Sequence, residues 1–244
     1  MLEKLTEIYN QHYGKFTDIL LQKETLYIVS TPIGNLEDIS FRAINVLKNV
    51  DLIACEDTRV TNFLLQQYGI KNKTISYYSH VELSKLDYII SELKSGKTIA
   101  LVSDAGTPCI SDPGNLLIAK CIEEEINLIS VPGSSALIHS LVLSGFSTKK
   151  FYFQGFLPQK KGRQTLLKEL AEIRMPIVIY ESPYRIYKTL KEINEFFGNK
   201  EVSVSRELTK KFEQTIRGKV RDLMNRDMKI KGEFVIIINN NQNI

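Results

Sequence analysis

The chain has 244 residues, 43% of them hydrophobic and 25% charged, the mix of an ordinary globular protein and not of a disordered, collagen-like or low-complexity one. At roughly 150 residues per domain, this length suits one large or two modest domains. The net charge of +4 conceals an asymmetry: residues 1–143 hold 12 Lys and Arg against 17 Asp and Glu, whereas residues 144–244 hold 20 against 11. A basic half is either a solvated surface or the face of a polyanionic partner.

The N-terminal run MLEKLTEIYNQHYGKF places acidic residues where a signal peptide would be apolar, and no apolar run reaches the roughly 18 residues of a membrane span. A cytoplasmic location is therefore expected. Cys55, Cys109 and Cys121 are odd in number and lack CxxC spacing, so reduced buried thiols are expected in place of disulfides or structural zinc. Residues 1–24 form an N-terminal extension in which Leu2, Leu5, Ile8, Tyr9, Phe16, Ile19 and Leu20 recur at helical spacing. This predicts one or two amphipathic helices docked on the domain or on a second subunit.

From residue 25 onward, short β-rich runs alternate with amphipathic stretches, the pattern of an α/β protein with parallel sheets covered by helices. Strands are predicted at 25–30, 51–56, 74–78, 98–103 and 127–131, with helices near 40–49, 58–68, 82–95, 113–125 and 134–143. The turn-rich LSGFSTKK over 143–150 marks a boundary, giving an N-terminal α/β domain at 25–143 and a C-terminal one at 144–244. In the latter, FYFQGF, PIVIYES and EVSVSRE alternate with helices near 162–174 and 184–197. FEQTIRGKV, a short helix and GEFVIIIN then follow, which allows a mixed sheet.

Several familiar motifs fail. There is no GxGxxG after the first strand, HExxH is absent, and His12, His80 and His139 have no metal-ligand spacing, so no metal is expected. Ser95-Gly96-Lys97-Thr98 resembles the end of a phosphate-binding loop but precedes a strand, and reads as a turn. What remains is a set of glycine, proline and carboxylate clusters, each just beyond a predicted strand: 31–36, 56–59, 103–108, 132–136, 181–185 and 206–210. Each alone would be a turn with a helix cap. Together they suggest backbone that approaches a ligand at the strand ends, where ligands bind in open α/β sheets.

The runs LYIVSTPIGNLEDIS, DLIACEDTR, LVSDAGTP, SDPGN, VPGSSA, GFLP, YESPYR, SRELTKKFE and KGEFV resemble the ribosomal RNA small-subunit methyltransferase I family, a branch of the tetrapyrrole methylase superfamily. The resemblance covers residues 25 to about 238 in order. It implies two α/β domains with S-adenosylmethionine in the cleft between them, and 2'-O-methylation of a cytidine ribose in the decoding region of small-subunit (16S) ribosomal RNA by a homodimer. This chain differs in its longer start, in ending just after the last strand, in Val81 following His80, and in Phe212 where the family often has Trp. RNA binding is then expected on the basic second half, from free RNA or the assembled subunit.

A sulfonium methyl is already activated, so positioning carries most of the catalysis. The expected cradle for S-adenosyl-L-methionine is backbone from Pro32, from Asp104, Ala105, Gly106 and Thr107, and from Ser134, Ser135 and Ala136; the resemblance adds Gly232 and Glu233 near the adenine. A base for the ribose hydroxyl is sought among Glu56, Asp57, Glu181, Glu207, Lys210 and His80, with Glu181 and Lys210 leading. Glu56 with Arg59, and Glu207 with Arg206 and Lys210, have a purely structural reading as ion pairs at helix starts. For RNA phosphates the candidates are Arg59, Lys149, Lys150, Lys160, Lys161, Arg163, Lys210 and Lys211, with Phe156, Tyr184 and Tyr187 for stacking an unpaired base. Two other readings are a tetrapyrrole C-methyltransferase, whose relatives usually open with a GxGPGD-type loop where this chain has TPIGNL, and a non-catalytic RNA-binding or assembly protein.

Overall fold

A computed structural model describes residues 21–78 and 82–241. The helices expected over residues 2–20, and His80 with Val81, lie outside the described residues. The chain forms two compact units: one runs up to Thr31 and resumes over Ile39–Gly133, the other takes Pro32–Asp38 and Ser134–Ile244.

The first unit is built on β1 (Thr25–Val29), β2 (Leu52–Cys55), β3 (Thr74–Ser76), β4 (Thr98–Val102) and β5 (Asn127–Val131). They pair in the order β3-β2-β4-β1-β5, all parallel. Every residue of β1, β2 and β4 is buried, which explains their continuous apolar runs. Alternate side chains serve opposite faces. Leu26, Leu52, Ala54, Ile99 and Leu101 pack under α3 (Glu82–Lys94) and α4 (Asn115–Glu123). Tyr27, Val29, Ile53, Cys55, Ala100 and Val102 pack under α1 (Phe41–Asn49) and α2 (Thr58–Gln67).

Helix starts follow the sequence signals. Ser40 Oγ accepts from Ala43 N at 3.1 Å, and Asp57 Oδ1 accepts from Arg59 N at 2.8 Å, each closing an otherwise orphan amide. The Ser95–Thr98 tetrad is the turn it was read as, with Gly96 N donating to Leu93 O and Thr98 opening β4. Cys55, Cys109 and Cys121 are free thiols; burial pushes those of Cys55 and Cys121 up to about 11, which leaves them unreactive.

The second unit contains β6 (Tyr152–Phe156), β7 (Ile177–Glu181), β8 (Glu201–Arg206), β9 (Gln214–Lys219) and β10 (Phe234–Ile238), in the order β6-β7-β10-β8-β9. Only β6 and β7 pair in parallel; β10 runs antiparallel between β7 and β8, and β9 is an antiparallel edge. The sheet is mixed. One face is covered by α6 (Arg163–Ala171), α7 (Ile186–Phe197) and α8 (Val220–Met224), through Leu167, Leu170, Leu190, Ile193 and Leu223. The other carries α5 (Ala136–Ser144).

The division between units falls at Gly133, not at 143. The reason is α5, whose buried Leu137 and Leu141 pack with Val178, Val235 and Ile237 of the second sheet. Ile33 joins the same cluster, which takes residues 32–38 into the second unit although they directly follow β1. Local charge balance does not register either contact.

Candidate functional site

In the first unit the geometry to examine is the C-terminal edge of the parallel sheet. Neighbouring strands β1 and β4 there send their following helices to opposite faces, the arrangement at which α/β sheets open a crevice. Beyond the strands the two chains stay joined: Thr31 N donates to Gly106 O at 2.8 Å and Gly106 N to Thr31 O at 3.1 Å. Thr31 Oγ1 donates to Ser103 O at 3.2 Å, and the Ser30 and Thr107 hydroxyls meet at 2.9 Å. Gly106 sits at φ +85°, where a side chain is strained. Its glycine is thus explained by the bridge to Thr31, and its amide is already used.

Ser103 Oγ is buried with no hydrogen-bond partner among the described residues. A buried hydroxyl without a partner is uncommon; Asp104 follows Ser103 directly, and Glu56 follows Cys55, the register partner of Val102. Burial, then the charge of Asp104, pushes the Glu56 carboxyl above its ordinary value; burial, then the charge of Asp57, does the same to Asp104. Asp104 Oδ1 accepts from Asp57 N at 3.0 Å. Asp57 itself is held down to about 2, first by its hydrogen bonds from Arg59 and then by that cation's charge. Arg59 grips Asp57 at 2.6 Å while remaining 89% exposed. The donor set therefore fits a cationic, hydroxyl-bearing ligand: two carboxyls raised by burial and a hydroxyl still to be satisfied.

The corresponding edge of the second unit gathers the loops after β6, β7 and β8, because Glu181 and Arg206 are both in register with Phe234, and Phe156 with Tyr180. Lys210 Nζ donates to Glu207 Oε1 at 3.1 Å and lies 3.6 Å from Glu233. A Cβ on Gly34 would fall 2.3 Å from Lys210 Cγ, and one on Gly232 1.9 Å from Glu207 Oε1. These glycines make room for the Lys210 stem and the Glu207 carboxylate. Glu207 is held at φ +52° and donates its amide to Glu233 O, a strained conformation of the kind that clusters at binding sites. At the start of α5, Ser134 is buried and Ser135 makes no side-chain cap, while Leu137 N is taken by the Tyr180 hydroxyl at 3.1 Å. Pro32 is buried, and Ala105 is exposed.

Two expectations are overturned by burial. Arg163 is no surface phosphate ligand: it is 2% exposed and donates to Glu192 Oε2 at 2.7 and 2.9 Å, to Thr189 Oγ1 at 2.7 Å and to Pro158 O at 3.0 Å. Glu181, sought as a base, has a fully buried side chain. Its oxygens accept from Ser182 N at 2.7 Å, Arg185 Nε at 2.8 Å and Thr189 Oγ1 at 2.6 Å, with Arg163 at 3.6 Å. A carboxylate so engaged organises the turn and has no capacity left for a substrate proton. Tyr187 is likewise structural, donating to Arg226 O and accepting from Met228 N. Lys160, Lys161 and Lys211 are exposed. The sequence reading missed Thr189 and Glu192, and placed Ser103 and Thr31 in candidate clusters without giving either a role of its own. Only Thr31 and Ser103 carried a signal, being inside glycine-rich runs. Among the described residues no group of three or more His, Cys, Asp and Glu is placed to hold a metal, and no helix is long and apolar enough to cross a membrane.

A family model described as Tetrapyrrole (Corrin/Porphyrin) Methylases matches residues 25–224. The chain is 46% identical over 222 residues to a ribosomal RNA small subunit methyltransferase I of Halalkalibacterium halodurans, covering 90% of this chain and 77% of that one. It is 46% identical to the protein of that name from Thermotoga maritima, covering 87% and 97%, and 44% identical to that of Bacillus subtilis, covering 89% and 76%. The crystal structure of uroporphyrin-III-C-methyltransferase from Thermus thermophilus superposes with a TM-score of 0.62 at 14% identity, covering 89% and 94%, a likeness of fold.

Proposed function

Because the chain belongs to the tetrapyrrole methylase family, and within it to the ribosomal RNA small subunit methyltransferase I family, we propose that it methylates the 2'-hydroxyl of a cytidine ribose in the decoding region of small-subunit ribosomal RNA. The observation that carries the cofactor assignment is the end of β4 and the loop after it, where the Ser103 hydroxyl has no partner among the described residues and burial raises the carboxyls of Asp104 and of Glu56 after the neighbouring β2. These suit the hydroxyls and positive charge of S-adenosylmethionine. Bound there, S-adenosylmethionine supplies a methyl activated by its sulfonium. Asp104, Ala105 and Thr107 are the proposed contacts in the first unit, with Gly106 holding the loop through Thr31.

The chain's own residues have three tasks. Backbone at the β4 loop orients, and orientation alone accounts for a large part of the barrier. Glu56 takes the ribose proton: its raised pKa brings it closer to working pH, where a base contributes roughly 10²- to 10⁴-fold. Glu207 and Lys210, paired with each other, present a fixed charge at the strand-end edge of the second unit, with Glu207 holding Lys210 in place. Homodimerisation and a cytoplasmic location belong to the same reading.

The deciding experiment is transfer of labelled methyl from S-adenosylmethionine to naked RNA and to assembled small subunits across pH, with the modified atom mapped. Label on a cytidine 2'-oxygen is expected. The rate should fall as pH drops through the raised Glu56 value, above the ordinary 4.5, because the base must be deprotonated. Label on carbon of a tetrapyrrole offered in parallel, and none on RNA, would replace this reading.

Phosphate recognition is assigned to Lys149, Lys150, Lys160, Lys161, Lys211 and Arg59. Ala at both Lys160 and Lys161 should flatten the slope of log affinity against log salt by about 1.4, from roughly 0.7 per contact with a single strand. Calorimetry should show cofactor affinity unchanged. An unaltered salt slope would return this loop to solvent.

A further inference from the structure

We propose that Tyr184 is a stacking platform for an unpaired nucleobase of the RNA strand, held out in solvent by the buried Glu181 carboxylate; this rests on the RNA reading above. Tyr184 is 94% exposed. It sits at the centre of the 3-10 turn Pro183–Arg185, directly after β7. A large ring so exposed gains nothing for the fold.

The turn that carries it is nevertheless among the most firmly held features of this unit. Glu181 fixes its start through Ser182 N and its end through Arg185 Nε, and Pro183 sets the backbone between them. Glu181 is in turn held by Thr189 and Arg163. Burying such an ion-pair network is a weak route to stability compared with apolar packing. What it accomplishes here is to order one turn and its exposed ring in advance, which lowers the entropic cost of engaging a ligand.

Charge complementarity identifies the occupant. Strand register sets the loop after β6 and the loop after β8 level with this turn. The first starts from exposed Phe156 at the end of β6 and carries exposed Lys160 and Lys161; the second carries Phe212, which is 56% exposed and has Lys229 Nζ 4.9 Å and Lys211 Nζ 5.7 Å from its ring centre. Rings interleaved with cations are what a single strand requires, since phosphates meet the cations while every base offers a π-face to a ring. A second copy of the chain, equally basic on this edge, is disfavoured by like charge.

The chain contains no Trp, so Tyr184→Trp installs a single tryptophan at the platform, which can be excited selectively over the tyrosines. Its emission should be quenched by a short single-stranded RNA carrying the target cytidine, with affinity retained. Tyr184→Ala should weaken RNA binding about tenfold while leaving the salt slope and cofactor affinity as in wild type, the reverse of the Lys160 and Lys161 pattern. Tyr184→Phe should bind as wild type. Tyr184→Ala binding RNA at wild-type strength overturns the proposal, as does an unquenched Trp on bound RNA. A change in sedimentation without a change in RNA affinity assigns the ring to a subunit contact and also overturns it. If the wild-type chain neither binds nor methylates RNA, the functional reading falls and this one with it; wild-type activity preserved in Tyr184→Ala removes this one alone.

Discussion

Replacing Glu181 by Ala is expected to cost about 3–5 kcal/mol of stability, the range for removing one partner of a buried ion pair. The substitution leaves the Ser182 amide, the Arg185 guanidinium and the Thr189 hydroxyl without their acceptor, and removes one of the two carboxylates that face buried Arg163. Against a total of about 5–15 kcal/mol for a native domain, this is a large fraction, and the urea midpoint should fall accordingly at constant slope. Turnover should decline only as far as the folded population declines. If the midpoint stays put while turnover collapses at saturating cofactor, Glu181 is a reacting group after all, and its hydrogen bonds are secondary.

Gly106→Val is expected to abolish measurable S-adenosylmethionine binding or to weaken it at least tenfold, with the first sheet still folded. At φ +85° a β-branched residue is an outlier that costs on the order of 1–3 kcal/mol. Relief of that strain breaks the paired bonds to Thr31 and moves Asp104 and Thr107 with them. Calorimetric titration of the variant, alongside a circular dichroism spectrum to establish folding, measures the effect. A folded variant with wild-type affinity would detach the β4 loop from the cofactor. The effect should be local, because Ser103 directly follows β4 and precedes the strained position.

These two residues show where sequence reading succeeds and where it stops. The glycine-rich run after β4 was legible because a ligand site at a parallel strand end needs small residues and positive φ in one short segment, all within reach of local pattern. The purpose of Gly106 was not: its partner Thr31 lies far back along the chain, joined to it only once β1 and β4 pair. Likewise the ten described strands were readable from alternation and apolar runs. That Ile33 and α5 join the second sheet was not, since apolar side chains at helical spacing do not say which sheet they cover.

By itself, then, the sequence determined the α/β class, the strand and helix positions and the family, because each is written in local periodicity or contiguous motif. Tertiary structure alone decided which charges are available. Lys160 and Arg163 stand three residues apart in one basic run, yet Lys160 is exposed, and Arg163 is drawn into a pocket by Glu192 and Thr189, more than twenty-five residues away. Glu181 and Glu56 both stand at the end of a strand, but one is held by four neighbours and the other is left half-buried with its pKa raised. The physical reason is the same in both cases: burial and pairing set the free energy of a charge, and both are fixed by residues distant in sequence that only the fold brings near.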